Sequence, residues 1–180
     1  MTFHAAILHW PDIAAFRAHL ARHDAQACTR WPRPRGAATH VRGIVLHHTW
    51  RPTWEQWRGE RTMWGIHGYY VGLGWSSGPH LFLAPDGLWQ LTPLNLPGTH
   101  AGRYNADYYG LEVVGDYDRA PWLPATRQWV YDLIAALEQW RGSALDIRGH
   151  RECGSLKSCP GAAIDLDLVR ADVTRLRAVP

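Results

Sequence analysis

Apolar residues recur along this chain with two distinct periods. In 126-TRQWVYDLIAALEQW-140 the residues Trp129, Leu133, Leu137 and Trp140 fall on one face of a long helix. In 165-DLDLVRADVTRLRAV-179 the residues Leu166, Val169, Val173 and Leu176 do the same for a closing helix. Ile13, Phe16, Leu20 and Ala21 predict a third, amphipathic helix within 12-DIAAFRAHLARHDA-25, which the proline-rich stretch 29-TRWPRPRG-36 ends as a stiff connector. Short runs of branched apolar residues read differently. The segment 41-VRGIVLHHT-49 has the continuous apolar character of a buried strand and ends in two histidines, while 110-GLEVVGDYD-118 and the short 145-LDIRGH-150 predict further strands. In 80-HLFLAPDGLWQLTP-93 two apolar strands flank a Pro85-Asp86-Gly87 turn, which predicts a hairpin. Thr53 and Gln56 in 53-TWEQ-56 have capping-box spacing and predict a further helix that fades into the glycines of 65-GIHGYYVGLGWSSGP-79.

The resulting order, α-β-α-β-β-β-α-β-α, predicts an α/β (mixed) fold with a single mixed β-sheet flanked by helices. A length of 180 residues fits one domain, 1–180, in which 1–35 form an N-terminal helix and connector and 165–179 the C-terminal helix. Eleven Trp and eleven His are high for this length. The tryptophans fit either a carbohydrate or peptide groove or a Trp-rich core.

A net charge of +3 predicts mild attraction to anionic surfaces. The basic residues are scattered, and the densest group, Arg30, Arg33 and Arg35, lies in the connector, so nucleic acid is not an expected partner. The start 1-MTFHAAILHWPDIAAF-16 has no basic n-region, and the chain has no apolar span of membrane length. Synthesis in the cytoplasm without a signal peptide, no stable membrane insertion and a monomer are the expectations. Three cysteines, Cys28, Cys153 and Cys159, are an odd number for a disulfide framework in a reducing compartment, leaving metal binding or burial.

His47 ends one predicted strand and His150 another, and Cys159 follows nine residues after His150 in a loop closed by Pro160 and Gly161. Two imidazoles and a thiolate with a fourth position left for water match a catalytic zinc site in composition. The spacing equally allows each residue to be a hydrogen-bonded or buried side chain without a metal. Lys157, two residues before Cys159, is the only lysine among 19 basic residues.

The segments 44-IVLHHT-49, 100-HAGRYNADYYGLEVVG-115 and 149-GHRECGSLKSCPG-161, in this order and separation, resemble the zinc-dependent N-acetylmuramoyl-L-alanine amidases, which include phage endolysins and peptidoglycan recognition proteins. The likeness spans about residues 40–168; 76-SSGPHLFLAPDG-87 and 113-VVGDYDRAPW-122 resemble the endolysin branch.

This resemblance implies a Zn2+ cofactor held by His47, His150 and Cys159, with Glu112 as catalytic acid/base and Lys157 as the cation that stabilises the oxyanion. The tyrosine that other branches place just before the hairpin histidine is replaced by Pro79. His100 and His80 stand where relatives line the substrate groove, either touching substrate or shaping the site, and His48 is expected to face away from the metal and be structural. Cys153 departs from the usual loop pattern. Peptidoglycan is the implied substrate, and the implied setting is host-cell lysis, with release to the wall by a holin. A cytosolic amidase recycling anhydromuramyl peptides and a non-catalytic peptidoglycan-binding module are the alternatives.

Overall fold

Two central strands, β4 (Gly43–His48) and β7 (Tyr108–Val113), carry the runs of branched and aromatic residues that two-sided burial demands. Beside β4, the half-buried β8 (Asp146–Gly149) forms an edge of the sheet. The computed structural model describes residues 7–23, 30–33 and 36–178. Strands β1 (Leu8–Trp10), β5 (Leu81–Ala84) and β6 (Gly87–Gln90) complete a six-stranded sheet in the order β1-β6-β5-β7-β4-β8. Strands β8, β4, β7 and β5 run parallel, whereas β6 and β1 join antiparallel. The single mixed sheet with flanking helices is therefore the fold the periodicities predict, and Pro85-Asp86 does turn the hairpin between β5 and β6.

Alternation along the strands divides the molecule into two sides. Ile44, Leu46, Leu81, Leu83, Leu111 and Val113 point into the main core. There they meet α1 (Ile13–Leu20), α3 (Pro124–Arg141) and α4 (Leu166–Arg177), with α1 and α4 both packed on α3. Phe82 and Ala84 point the other way, into a smaller cluster that includes Met63 of α2 (Glu60–Gly72). The period-2 geometry of a strand thus puts His47 and Glu112 on this second side.

Several local expectations are corrected. The capping pattern does not start the second helix: Gln56 accepts from the Thr53 amide at 2.9 Å but closes only a 3₁₀ turn, Trp54–Gln56. Helix α2 begins after Gly59 and runs through Gly65 and Gly68, because its packing on the sheet outweighs the low helix propensity of glycine. The supposed connector contains an antiparallel pair, β2 (Arg30–Arg33) with β3 (Gly36–His40). A two-stranded ribbon has only edges, and edges tolerate proline. On α3 the buried face is centred on Val130, Leu133, Ile134 and Leu137, with Trp129 and Trp140 only at its margin, and on α4 Leu176 is exposed. Cys28 lies outside the described residues. Among those residues, no helix is long and apolar enough to cross a membrane.

Candidate metal centre

The parallel strands deliver their C-terminal ends to one edge of the sheet, where ligands of open α/β sheets are bound. His47 is the fifth residue of β4, directly opposite Glu112 of β7 in register; Glu112 is in turn opposite Phe82 of β5. His150 opens a 3₁₀ turn immediately after β8. Cys159 returns to the same place from the following loop. The ligand-type atoms of His47, His150 and Cys159 lie within 4.8 Å of one another. The His47 and His150 rings are 4.5 Å apart between centroids, and Cys159 Sγ is 3.7 Å from His47 Nδ1.

The residues fit a zinc ion. A tetrahedral zinc with sulfur and nitrogen at their usual bond lengths holds those two atoms roughly 3.5 Å apart. The two imidazoles and one thiol also form a donor set that zinc accepts with one position to spare. Burial lowers the proton affinity of His47 far below that of a free imidazole, aided by His100, His150 and the charge of Lys157, and burial followed by Lys157 lowers that of His150. Both rings are accordingly neutral and able to coordinate. Without a cation, burial and then the nearby Glu112 carboxylate push the Cys159 thiol up to about 12. A metal at this point would release that proton.

The loop carrying Lys157 and Cys159 is held by two residues of the sequence motifs, Arg151 and Asp118. Arg151 donates to the carbonyls of Ser158 at 3.3 Å, Gly161 at 3.0 Å and Ile164 at 2.8 Å, and its amide donates to the Cys159 carbonyl at 2.7 Å. Asp118, beyond the end of β7, accepts from the Ser158 hydroxyl at 2.5 Å and the Ala162 amide at 2.9 Å. The Cys153 thiol turns away to the Gly149 carbonyl, 3.5 Å distant. A fan of charged donors onto carbonyls is a strong way to fix an irregular loop.

Glu112 lines a pocket of about 380 Å³ together with Thr49, Trp50, Arg51, Tyr69 and Tyr70. Its Oε2 is buried without a hydrogen-bond partner. Burial raises its carboxyl to about 8, and the Lys157 ammonium opposes that rise. Lys157 itself is exposed, and its charge acts on His47, His150, Glu112 and Cys159 alike. Tyr70, which sequence reasoning passed over, reaches this wall from α2. Burial and then Glu112 raise its hydroxyl well above the ordinary range. Trp50 is 59% exposed at the pocket while Trp10, Trp57 and Trp89 are buried, so tryptophans occur both in the core and at the pocket.

Neither His80 nor His100 lines this pocket. His80 is fully buried; its Nδ1 accepts from the Gly110 amide at 2.9 Å and its Nε2 meets the Leu96 carbonyl at 3.0 Å. His100 is also buried, behind His47 rather than beside the pocket. His48 faces the other side of β4, where Nδ1 accepts from the Tyr117 amide at 3.1 Å.

A mixed α/β domain with two histidines and a cysteine converging at the carboxyl ends of parallel strands defines a class, that of single-sheet proteins with a candidate catalytic metal centre. The family model described as N-acetylmuramoyl-L-alanine amidase matches residues 37–162, and the chain belongs to that family. Among solved structures it is similar to the endolysin amidase LysCS from Clostridium intestinale (22% identity, 74% of this chain and 84% of that one, TM-score 0.62). It is also similar to the Ph2119 endolysin of a Thermus scotoductus bacteriophage (25%, 78% and 88%, TM-score 0.53) and to Drosophila PGRP-LB (20%, 78% and 81%, TM-score 0.61). Comparison with curated protein sequences finds no match.

Proposed function

We propose that the chain is a zinc-dependent hydrolase that cuts the amide bond between N-acetylmuramic acid and L-alanine in peptidoglycan, and that it acts as an endolysin. The observation that carries this reading is the convergence of His47, His150 and Cys159 beside a buried carboxylate whose Oε2 has no hydrogen-bond partner, in a member of the amidase family. His47, His150 and Cys159 would hold the ion. A zinc ion there supplies a water of lowered pKa and polarises the substrate carbonyl.

Glu112, next to His47 across the strand pair, accepts a proton from the attacking water and returns it to the departing alanine nitrogen. The Lys157 charge favours the ionised form of Glu112, as a base requires, and it also favours negative charge developing on the carbonyl oxygen. A lysine ammonium suits this task because it is a compact charge on a flexible stem, whereas arginine presents a planar fork. The likeness to proteins named endolysins supports the lytic role, and release from the host cytoplasm to the wall is part of the same proposal.

Mass spectrometry of purified peptidoglycan after digestion tests the bond assignment. A new free L-alanine amino terminus is expected; stem peptides left attached to muramic acid would sink the reading. Metal analysis tests the centre: about one zinc per chain in the parent and little in His150→Ala. Full zinc content and full activity in His150→Ala would show that the site is misplaced.

A further inference from the structure

His47 has two ring nitrogens, and the structure gives each a different task. Nδ1 faces Cys159 at 3.7 Å, and Nε2 lies 3.1 Å from Nδ1 of His100. The other nitrogen of His100, Nε2, lies 3.1 Å from the Tyr108 carbonyl oxygen. That carbonyl can only accept, so Nε2 of His100 carries the proton. In a neutral imidazole the remaining nitrogen is then an acceptor. Nδ1 of His100 can therefore only accept, and His47 must donate from Nε2. The lone pair of His47 is left on Nδ1, the atom that faces Cys159 Sγ.

We propose that His100 is a positioning residue for the metal centre, and that it holds His47 in its coordinating tautomer and orientation through a two-imidazole relay ending on the Tyr108 carbonyl. This rests on the zinc reading given above. Metal-bound histidines commonly spend their outer N–H on a carboxylate, a carbonyl or water. Here a second neutral ring stands between the ligand and the carbonyl. It orients His47 without adding negative charge to a site that already holds Glu112 and Cys159.

The surroundings of His100 fit the same purpose. Asn105 Oδ1 accepts from the backbone amides of His100 at 2.9 Å and Ala101 at 2.6 Å, which fixes the segment from which the ring projects. The ring packs flat against β7 at Gly110, where an added Cβ would stand 2.7 Å from His100 Cγ. The His47 and His100 rings meet edge to face, with centroids 5.2 Å apart at 85°. The glycine two residues before Glu112 therefore has a physical reason: any side chain there would drive His100 away from His47.

The test uses the full chain in two measurements. Zinc affinity is read by competition with a chromophoric chelator for the parent, His100→Phe, His100→Gln, Gly110→Ala and His47→Ala. His100→Phe and Gly110→Ala should bind zinc about 10- to 100-fold more weakly. His100→Gln should recover most of that loss, because its amide oxygen can accept from His47 and its NH₂ can donate onward. Imidazole ¹⁵N spectra of the metal-free parent should show His47 and His100 both protonated at Nε2.

Parental zinc affinity in His100→Phe, or a proton on Nδ1 of either ring, overturns the relay. If the parent binds no zinc, or His47→Ala binds as the parent does, the metal-centre reading fails instead, and the tautomer measurement still decides the relay. If His100→Phe does not fold, the Gln variant and the spectra give the answer.

Discussion

Glu112 combines burial, a free carboxylate oxygen and a neighbouring candidate ligand across the strand pair. If it carries the proton and Lys157 steadies the oxyanion, Glu112→Gln should keep its zinc and fold but lose a factor of about 100 or more in turnover. Lys157→Arg is the sharper comparison, because charge is kept while shape and reach change. A large drop in rate at unchanged zinc content and melting temperature is expected, measured as release of stem peptide. Parental turnover in this variant would mean that the single lysine owes its place to composition alone.

At this scale the sequence exposed what is local. His47, His150 and Cys159 end strands or close a glycine-rich loop, so residue type and position point to them together. His100 is visible in the sequence as a candidate site residue, but the positioning role proposed for it is not, because its partner lies 53 positions away in the chain and the role depends on which ring nitrogen faces which atom. His80 misled for a related reason. A histidine before a strand looks available to a groove, and only the packing reveals that both its nitrogens are occupied inside.

Helices and strands show the same division between pattern and packing. The long helix α3 was legible because its apolar residues recur over about three turns, from Trp129 to Trp140, yet the centre of its buried face had to await its neighbours. Trp129 and Trp140 were drawn to the margin, and Leu133 and Leu137 remained fully buried. Equal-sized truncations should therefore have unequal effects. Leu137→Ala removes a side chain with 0% exposure and should cost about 2–5 kcal/mol, whereas Leu176→Ala, at 46% exposure, should stay within roughly 0.5 kcal/mol. Urea unfolding of the two variants checks this, and similar losses would mean that α4 seats differently on the sheet. The capping box failed as a helix signal because Thr53 and Gln56 satisfy one another in a single turn, after which Trp57 takes extended geometry and Gly59 a positive φ of 58°. A local motif fixes a local bond, and the helix beyond it follows only if the backbone continues in the same direction.

For the molecule as a whole, the carboxyl edge of the sheet joins groups that burial drives to their neutral forms in opposite directions. His80, fully enclosed, is lowered from 6.5 to about 4, and burial lowers His100 to about 3. Glu112 is raised from 4.5 to about 8, also by burial. Below pH 6.5 the unfolded chain takes up protons that the folded histidines refuse, so their stabilising contribution is complete above 6.5 and is lost as the pH falls toward 4 and below. Above pH 4.5 the unfolded chain releases a proton that folded Glu112 keeps. Its contribution is therefore complete below 4.5 and is lost as the pH rises through about 8. Several histidines outweigh one carboxyl on the acid side, whereas Glu112 sets the alkaline side up to about pH 8, below the range in which the Cys159 thiol, held up to about 12, adds its own loss. The chelator-treated protein should thus be most stable near pH 6.5 and weaken in both directions. Each proton contributes a slope of about 1.4 kcal/mol per pH unit where it is exchanged. Urea unfolding from pH 4 to 9 should show His80→Gln flattening the acid limb and Glu112→Gln flattening the alkaline limb, each leaving the other limb in place. An alkaline limb as steep in Glu112→Gln as in the parent would mean that this carboxyl is already ionised in the folded metal-free protein. The base would then need no cation to prepare it.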